Sequence, residues 1–306
     1  MKYNPEGWIC DTEENQYFIS THEGLAEAMA KGAILEGKVK LCSSSHDLII
    51  DLPCAKGIIP REEGAIGIKE GKTRDIALIS RVNKSVCFKV KKLCLDENNE
   101  LIAYLSRRAA QEECLSRYIS LLSSGDIIDA QITHFEKFGC FVDIGCGIPS
   151  LLPIDTLSVS RISHPSDRFQ HNQHIRAVVL KNENNRIYLS HKELLGTWED
   201  NASFFHTGET VAGIIRSVEN YGVFVELAPN LAGLAEPRDD IVCGQSVSVY
   251  IKAIIPEKMK IKLIIVDVCG KASAPATIRY FTDKDRIASW EYSTSSSAKS
   301  IKTEFV

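Results

Sequence analysis

The sequence predicts an all-β protein with helical connectors, built as three tandem five-stranded barrels of which the first is degenerate. The main observation is an internal repeat: the ten residues 135–144 resemble the ten residues 218–227, at an offset of 83 positions. Repetition at a fixed spacing is typical of a chain made of similar modules. The length of 306 residues leaves room for three such modules, and a composition of 44% hydrophobic and 25% charged residues is that of a globular chain.

The chain begins with an acidic segment, residues 1–31, that carries six Asp and Glu against two Lys. Within it, Ser20-Thr21-His22-Glu23 has the form of a capping box, which predicts the start of a short helix. Gly32 is expected to end this helix.

Residues 32–106 have the composition of a β module and are interpreted as a degenerate first repeat. Its strands are predicted at 39–41, 48–52, 57–60, 76–79 and 86–90. Helical spacing of Leu115, Tyr118 and Ile119 then predicts a linker helix over 107–122.

The second repeat is placed at 123–192, a helical linker at 193–205 and the third repeat at 206–268. Strands are expected at 127–135, 138–144, 150–154, 175–180 and 187–190, and again at 211–215, 221–227, 233–235, 247–254 and 261–266. Five short strands in about seventy residues are typical of the OB class of barrel. The tail, 269–306, is expected either to fold as a small appendage or to stay loose.

Composition and motifs argue against several classes of protein. No apolar run approaches the roughly 18 residues of a membrane span and the start of the chain lacks a secretory signal, so a cytoplasmic location is expected. The ten cysteines are scattered without a Cys-x-x-Cys pair, and His171 with His174 lacks a second ligand pair, so we expect neither metal nor cofactor. A net charge of -4 indicates that any polyanion is held by local patches and stacking.

The repeated segment places an aromatic ring where water is expected. Because side chains alternate along a strand, Cys140 and Val142 face inward while Phe141 and Asp143 face outward. Exposed rings on an OB barrel commonly stack on the bases of single-stranded nucleic acid. The third repeat has the same alternation, with Phe224 beside Glu226.

A glycine separates this ring from another in both repeats. Gly139 and Gly222 allow the chain to bend, which is expected to bring Phe138 and Phe141, and likewise Tyr221 and Phe224, onto one surface. On the last strand, alternation turns Arg186 and Tyr188 outward in the second repeat and Lys260 and Lys262 outward in the third. Such cations can neutralise phosphates.

These residues together resemble a known family. The pattern is Phe138-Gly139-Cys140-Phe141-Val142-Asp143-Ile144, a glycine-rich turn, Leu151-Leu152-Pro153-Ile154 and, finally, Arg186-Ile187-Tyr188-Leu189-Ser190 followed by Lys192. It is similar to the S1 RNA-binding domain, the OB-fold repeat named after a large protein of the bacterial small ribosomal subunit.

The resemblance implies an RNA face made of two aromatic residues around the glycine, a histidine on the third strand, and an aspartate and an arginine near the last strand. Carried over, it gives Phe138, Phe141 and Arg186 in the second repeat, but Pro153 and Asn182 stand at the histidine and aspartate positions.

In the third repeat the family positions hold Tyr221, Phe224 and Lys260, with Glu236 and Pro256 in the other two places. The stacking platform is therefore present in both repeats, whereas the polar contacts to bases are altered.

The first repeat departs further from the family. His46, Ile49 and Pro60 occupy the places of the two rings and the histidine. We expect this repeat to bind protein, or RNA only weakly through basic side chains, namely Arg81, Lys84, Lys89, Lys91 and Lys92.

The sequence thus favours a non-catalytic protein of translation that binds single-stranded RNA, in particular mRNA, with the small ribosomal subunit as a partner and neither a membrane nor a small-molecule substrate. One alternative is an RNA-processing factor associated with exoribonuclease or endoribonuclease activity, although the sequence shows no Walker loop or two-metal acidic cluster. The other is a protein-interaction scaffold with little affinity for RNA.

Overall fold

The structure is a computed structural model that describes residues 3–272 and 275–305. Its α-helices are α1 (Glu13–Ser20), α2 (His22–Lys31), α3 (Ile76–Ile79), α4 (Arg107–Arg117) and α5 (Trp198–Ala202). Short 3₁₀ turns occupy several of the loops. None of the helices in the described ranges is long and apolar enough to cross a membrane.

Helix α2 begins and ends at the residues that the sequence indicated. The Thr21 side chain accepts a hydrogen bond from the backbone N–H of Gly24 at 2.9 Å, which satisfies one of the free donors at the start of the helix. Gly32 ends the helix in the left-handed conformation, with φ of 63°.

The first barrel contains strands β1 to β5. Their bounds are β1 (Leu35–Cys42), β2 (Leu48–Leu52), β3 (Ala55–Ile59), β4 (Ser85–Leu95) and β5 (Leu101–Ser106). They close in the order β1-β2-β3-β5-β4. The strand predicted at 76–79 is wrong, because these residues form helix α3, with Leu78 buried while Ile76 and Ile79 are exposed. Apolar residues without alternation do not distinguish a short helix from a strand.

The second and third barrels have the same five-stranded architecture. Their strands are β6 (Ile127–Glu136), β7 (Gly139–Asp143), β8 (Pro149–Pro153), β9 (His174–Glu183), β10 (Arg186–Ser190), β11 (Thr210–Glu219), β12 (Gly222–Ala228), β13 (Leu231–Ala235), β14 (Gln245–Ile255) and β15 (Lys260–Lys271). They close in the orders β10-β8-β7-β6-β9 and β11-β12-β13-β15-β14. The predicted fold class, three closed five-stranded barrels with helical connectors, is confirmed.

The chain divides into two compact units. The first contains the chain up to Leu121 together with Asp143–Pro149, and the second contains Leu122–Val142 and the chain from Ser150 onward. In the first unit, side chains of α1 and α2 such as Phe18 and Leu25 pack on the interior of the first barrel with Phe88.

In the second unit, the core of the third barrel continues into the connector and the tail. Trp198 of α5 and the tail residues Trp290, Tyr292 and Phe305 are buried in the same cluster as the barrel residues. The tail also forms a two-stranded sheet from β16 (Ser289–Glu291) and β17 (Lys302–Glu304). Of the two alternatives for the tail, the folded one is therefore observed.

Candidate nucleic-acid interface

A row of outward side chains crosses the strands of the third barrel. Phe224 on β12 is the register partner of Ser217 on β11 and of Leu234 on β13, and Leu234 is in turn the partner of Lys262 on β15. Phe224 and Leu234 are half-buried and Lys262 is exposed. The barrel therefore presents a ring, an aliphatic side chain and an ammonium group in line on one face.

Tyr221 stands at the end of this row. Its ring meets the ring of Phe224 edge to face, with centroids 6.1 Å apart and planes at 86°. Tyr221 is 67% exposed. Gly222 permits the close turn between them, because a Cβ there would lie 2.6 Å from the carbonyl oxygen of Ala235.

The second barrel repeats this arrangement. The rings of Phe138 and Phe141 lie 6.4 Å apart at 87°, and Phe138 is 55% exposed while Phe141 is half-buried. A Cβ on Gly139 would lie 2.5 Å from the carbonyl oxygen of Leu152. The glycine in both repeats thus serves a close backbone approach, and the ring pairs have nearly the same geometry.

The last hairpin of the second barrel supplies a further ring and a cation. Tyr188 is 43% exposed and is the register partner of Leu151 on β8 and of Lys181 on β9. Arg186, two residues earlier on the same face, is exposed. In the third barrel the corresponding strand turns Lys260 and Lys262 outward, and both are exposed. The last strand therefore carries an aromatic ring and one cation in one repeat and two cations in the other.

The first barrel has the same register but different chemistry. Ile49 is the partner of Leu41 and Ile58, and Ile58 is the partner of Tyr104, which pairs with Lys92. Leu41 is 44% exposed. The position of Phe224 is thus occupied by an aliphatic residue, and the row keeps a single ring, that of Tyr104, which is 36% exposed.

The structure corrects one expectation about the repeated strand. Alternation placed Asp143 and Glu226 on the wet face beside the rings, yet both are buried, at 4% and 1% exposure. Buried carboxylates require polar partners, and the partners come from distant parts of the chain. Both carboxylates therefore serve as buried acceptors within the structure and are not exposed on the face that carries the rings.

Glu226 is held by two arginines. Arg168 donates two hydrogen bonds to the carboxylate, of 2.8 and 2.9 Å, and Arg216 donates from Nε at 2.8 Å. Arg168 also donates to Ser158 Oγ at 2.9 Å. A bidentate arginine fixes geometry as well as charge, so this cluster ties the loop of the second repeat to the third barrel.

Asp143 is satisfied by backbone groups within the first unit. It accepts hydrogen bonds from the N–H groups of Glu6 at 2.7 Å, Gly145 at 2.8 Å and Gly147 at 3.0 Å. Burial and, next, the negative charge of Glu6 raise the pKa of Asp143 to about 7.

Sequence reasoning did not identify all the polar and apolar groups of the face. Leu151 and Leu234 line it, and the alternation in Gly233-Leu234-Ala235 could have shown the latter. His134, at the position of Ser217 in the third repeat, is exposed and lies 3.0 Å from Glu136. It supplies an imidazole on β6, the first strand of the second barrel. The third strand, β8, has Pro153 where the family has a histidine.

The described residues, which leave out five positions, contain no group of three or more His, Cys, Asp and Glu side chains arranged for a metal ion. His171 instead packs against Phe135, with ring centroids 4.5 Å apart. The face described above combines rings, aliphatic side chains and cations.

Comparisons with known proteins found a matching family and several similar proteins. The family described as S1 RNA binding domain matches residues 122–192. The small ribosomal subunit protein bS1 of Staphylococcus aureus strain COL is 28% identical over 259 residues, which cover 79% of this chain and 63% of the relative. The bS1 of Staphylococcus haemolyticus is 29% identical, covering 87% of this chain and 71% of the relative.

A solved multidomain protein with nucleic acid binding domains from Streptococcus pneumoniae is 14% identical, covers 77% of this chain and 74% of that one, and has a TM-score of 0.26. This chain spans 63% of the length of the S. aureus relatives. The resemblance found in the sequence is confirmed: residues 122–192 match the S1 RNA binding domain, and the chain is similar over most of its length to small ribosomal subunit protein bS1.

Proposed function

We propose that this protein binds single-stranded RNA without cleaving it and holds unstructured mRNA near the small ribosomal subunit. The observation that carries the proposal is the pair of ring platforms, Phe138 with Phe141 and Tyr221 with Phe224, which have nearly equal spacing and angle on two barrels. Stacking is worth roughly 1–3 kcal/mol per base and tolerates any sequence. Sequence preference is therefore expected to be slight.

Cations beside the rings support the same function. Arg186 in the second barrel and Lys260 and Lys262 in the third lie exposed on the strand next to the aliphatic position of the row. A base stacked on the ring would bring its phosphates toward these groups. The net charge of -4 implies that this local patch, and not the charge of the whole protein, provides the attraction.

The two platforms belong to one compact unit. The Arg168–Glu226 contact and the hydrogen bond from Tyr292 to the carbonyl oxygen of Asn230, at 2.6 Å, tie the loop, the tail and the third barrel together. Two sites held at a fixed spacing bind one strand more tightly than either alone, because the second contact is intramolecular.

The test is titration of the purified chain with oligouridine at two salt concentrations. We expect binding whose logarithm falls with the logarithm of salt, with a slope of about -0.7 for each phosphate contacted. Absence of binding at low salt would favour the protein scaffold. Cleavage of labelled RNA by the purified chain in the presence of Mg²⁺ would favour the RNA-processing factor.

For the first barrel, the aliphatic part of the row, Leu41, Ile49 and Ile58, favours a protein contact, and we propose that this barrel docks on the ribosome. Leu41 is 44% exposed, so its replacement by Lys should leave the fold intact. L41K is expected to reduce co-sedimentation with small subunits while oligouridine affinity stays within about twofold, because Ile49, the partner of Leu41, stands in place of a stacking ring in this barrel. A loss of RNA affinity in L41K with unchanged co-sedimentation would contradict this assignment.

A further inference from the structure

A second aromatic site lies away from the barrel faces. A cavity of about 200 Å³, open to solvent on one side, is lined by the connector after the second repeat, the turn between β12 and β13, and the tail. Its aromatic walls include Phe204 and Phe281, whose ring centroids are 6.2 Å apart at 58°. Arg279 places its guanidinium carbon 4.3 Å from the centroid of the Phe204 ring.

The exposure of Phe204 is unusual for a ring in a structural contact. It is 52% exposed, although Phe205 beside it packs against the core of the third barrel. The exposed ring of Phe204 beside the cavity offers apolar surface that a ligand could cover.

The site is held in shape by backbone and buried polar groups. The N–H of Phe281 donates to the carbonyl oxygen of Leu194 at 3.0 Å, which fixes the tail against the connector. The side chain of Asn201, 4% exposed, donates to the carbonyl oxygens of Leu195 and Thr197, both at 2.8 Å. The walls are therefore preorganised.

The charge of the site is positive. Arg279 is the one charged residue among those that line the cavity, and no carboxylate within the described ranges forms a salt bridge with it. A guanidinium that faces a ring and has no acidic partner can stack on a nucleobase or bind its phosphate.

We propose that this cavity is an additional stacking site for one nucleobase of single-stranded RNA as the strand passes between the second and third barrels. The base would stack on the exposed part of the Phe204 ring, and Arg279, whose guanidinium lies over the same ring, would contact the adjacent phosphate. This inference rests on the proposed RNA-binding function. It adds a contact made by the connector and the tail to those made by the barrels.

The test compares two oligouridines, one long enough for a single barrel and one long enough for both barrels, on the intact chain. Phe204→Leu keeps the apolar bulk and removes the ring, and Phe204→Tyr keeps the ring. We expect F204L to weaken binding of the long oligonucleotide about fivefold or more and to leave the short one nearly unchanged, whereas F204Y binds both as the wild type does. R279Q should also weaken binding of the long oligonucleotide.

Tyr17 on α1, 57% exposed, provides a matched control, because Y17L removes an exposed ring outside the site. Photo-crosslinking of a thiouridine-substituted strand should label the peptide containing Phe204 or Phe281. Circular dichroism of each variant shows whether it is folded.

Unchanged binding of the long strand by F204L and R279Q, together with weakened binding by F141A/F224A, would overturn this site while leaving the proposed function in place. Unchanged binding by all of these variants would overturn both. If free UMP or AMP bound to the wild type but not to F204L, and the long RNA bound both equally, the cavity would be a mononucleotide site and the RNA inference would be wrong.

Discussion

The first and third barrels share the order of their strands but use the second strand of each barrel differently. Ile49 of β2 and Phe224 of β12 hold the same place in the cross-strand row, and two residues later Asp51 corresponds to Glu226. In the first barrel the second strand contributes the aliphatic Ile49 to the row, and Asp51 is exposed, paired with Lys40 at 2.8 Å. In the third barrel the row has a ring, and Glu226 is buried between two arginines. The barrel architecture thus leaves these positions free to serve a ligand, a partner or the core.

The largest expected effect concerns the carboxylates. Glu226→Gln should destabilise the second unit by about 3–5 kcal/mol, because it leaves Arg168 buried without its counter-charge. Arg216 also loses Glu226 but keeps Asp167, 3.5 Å away. Asp51→Asn, at the equivalent exposed position, should cost less than about 1 kcal/mol. Denaturant unfolding of the two variants measures both values. Similar costs for the two would contradict the distinction between the barrels.

The two units are also expected to respond differently to pH. His191 is buried in the second unit, with Nδ1 2.9 Å from the carbonyl oxygen of Leu157, and burial lowers its pKa to about 4. Between about pH 4 and pH 6.5, His191 is therefore protonated in the unfolded chain and neutral in the folded protein. The contribution of His191 to the free energy of unfolding is fully present above about pH 6.5 and is lost as the pH falls toward 4.

Glu36 in the first unit is expected to give the opposite dependence of stability on pH. Burial raises its pKa to about 7, although the N–H groups of Gly7 and Ile9 donate to it. Its folded state retains a proton that the unfolded chain releases, so its contribution falls as the pH rises from about 4.5 to about 7.

Unfolding curves between pH 5 and 8 for the wild type, E36Q and H191Q separate the contributions of Glu36 and His191 to the free energy of unfolding. Glu6, whose pKa burial alone would raise but Arg107 and Arg81 hold below its usual value, repels the Glu36 carboxylate, so the difference between wild type and E36Q includes the loss of this repulsion. A difference between wild type and E36Q that did not vary with pH would show that Glu36 is ionised in the folded state.

A smaller effect is expected from the cations. R186Q or K262Q should reduce the steepness of the salt dependence of RNA binding by about 0.7 each, if each side chain contacts one phosphate. K92Q, in the corresponding hairpin of the first barrel, should leave the slope unchanged. The slopes come from oligouridine titrations over a range of salt. A larger change for K92Q than for K262Q would place the RNA on the first barrel.

Local patterns predicted the strands of the second and third barrels and the ring platform, because alternation and the glycine between the rings are encoded within ten residues. The burial of Glu226 was not predictable from alternation, since its partner Arg168 lies 58 residues away in sequence. The sequence left the tail open between a folded appendage and a loose segment for a related reason, because Trp290 and Phe305 are held by tertiary packing on the core of the third barrel. Helix α3 was misassigned because four apolar residues fit a strand as well as a helix.

The proposed function requires the rings of Phe141 and Phe224 to stack on RNA bases. The oligouridine affinities of F141A/F224A and of I49A, compared with that of the wild type, test this requirement. Both rings are half-buried on outer barrel faces, so the double variant should remain folded. We predict a loss of about 2 kcal/mol or more, near 30-fold in Kd, for F141A/F224A, and an affinity close to wild type for I49A. Wild-type affinity in a folded F141A/F224A protein would show that these two rings do not bind RNA bases.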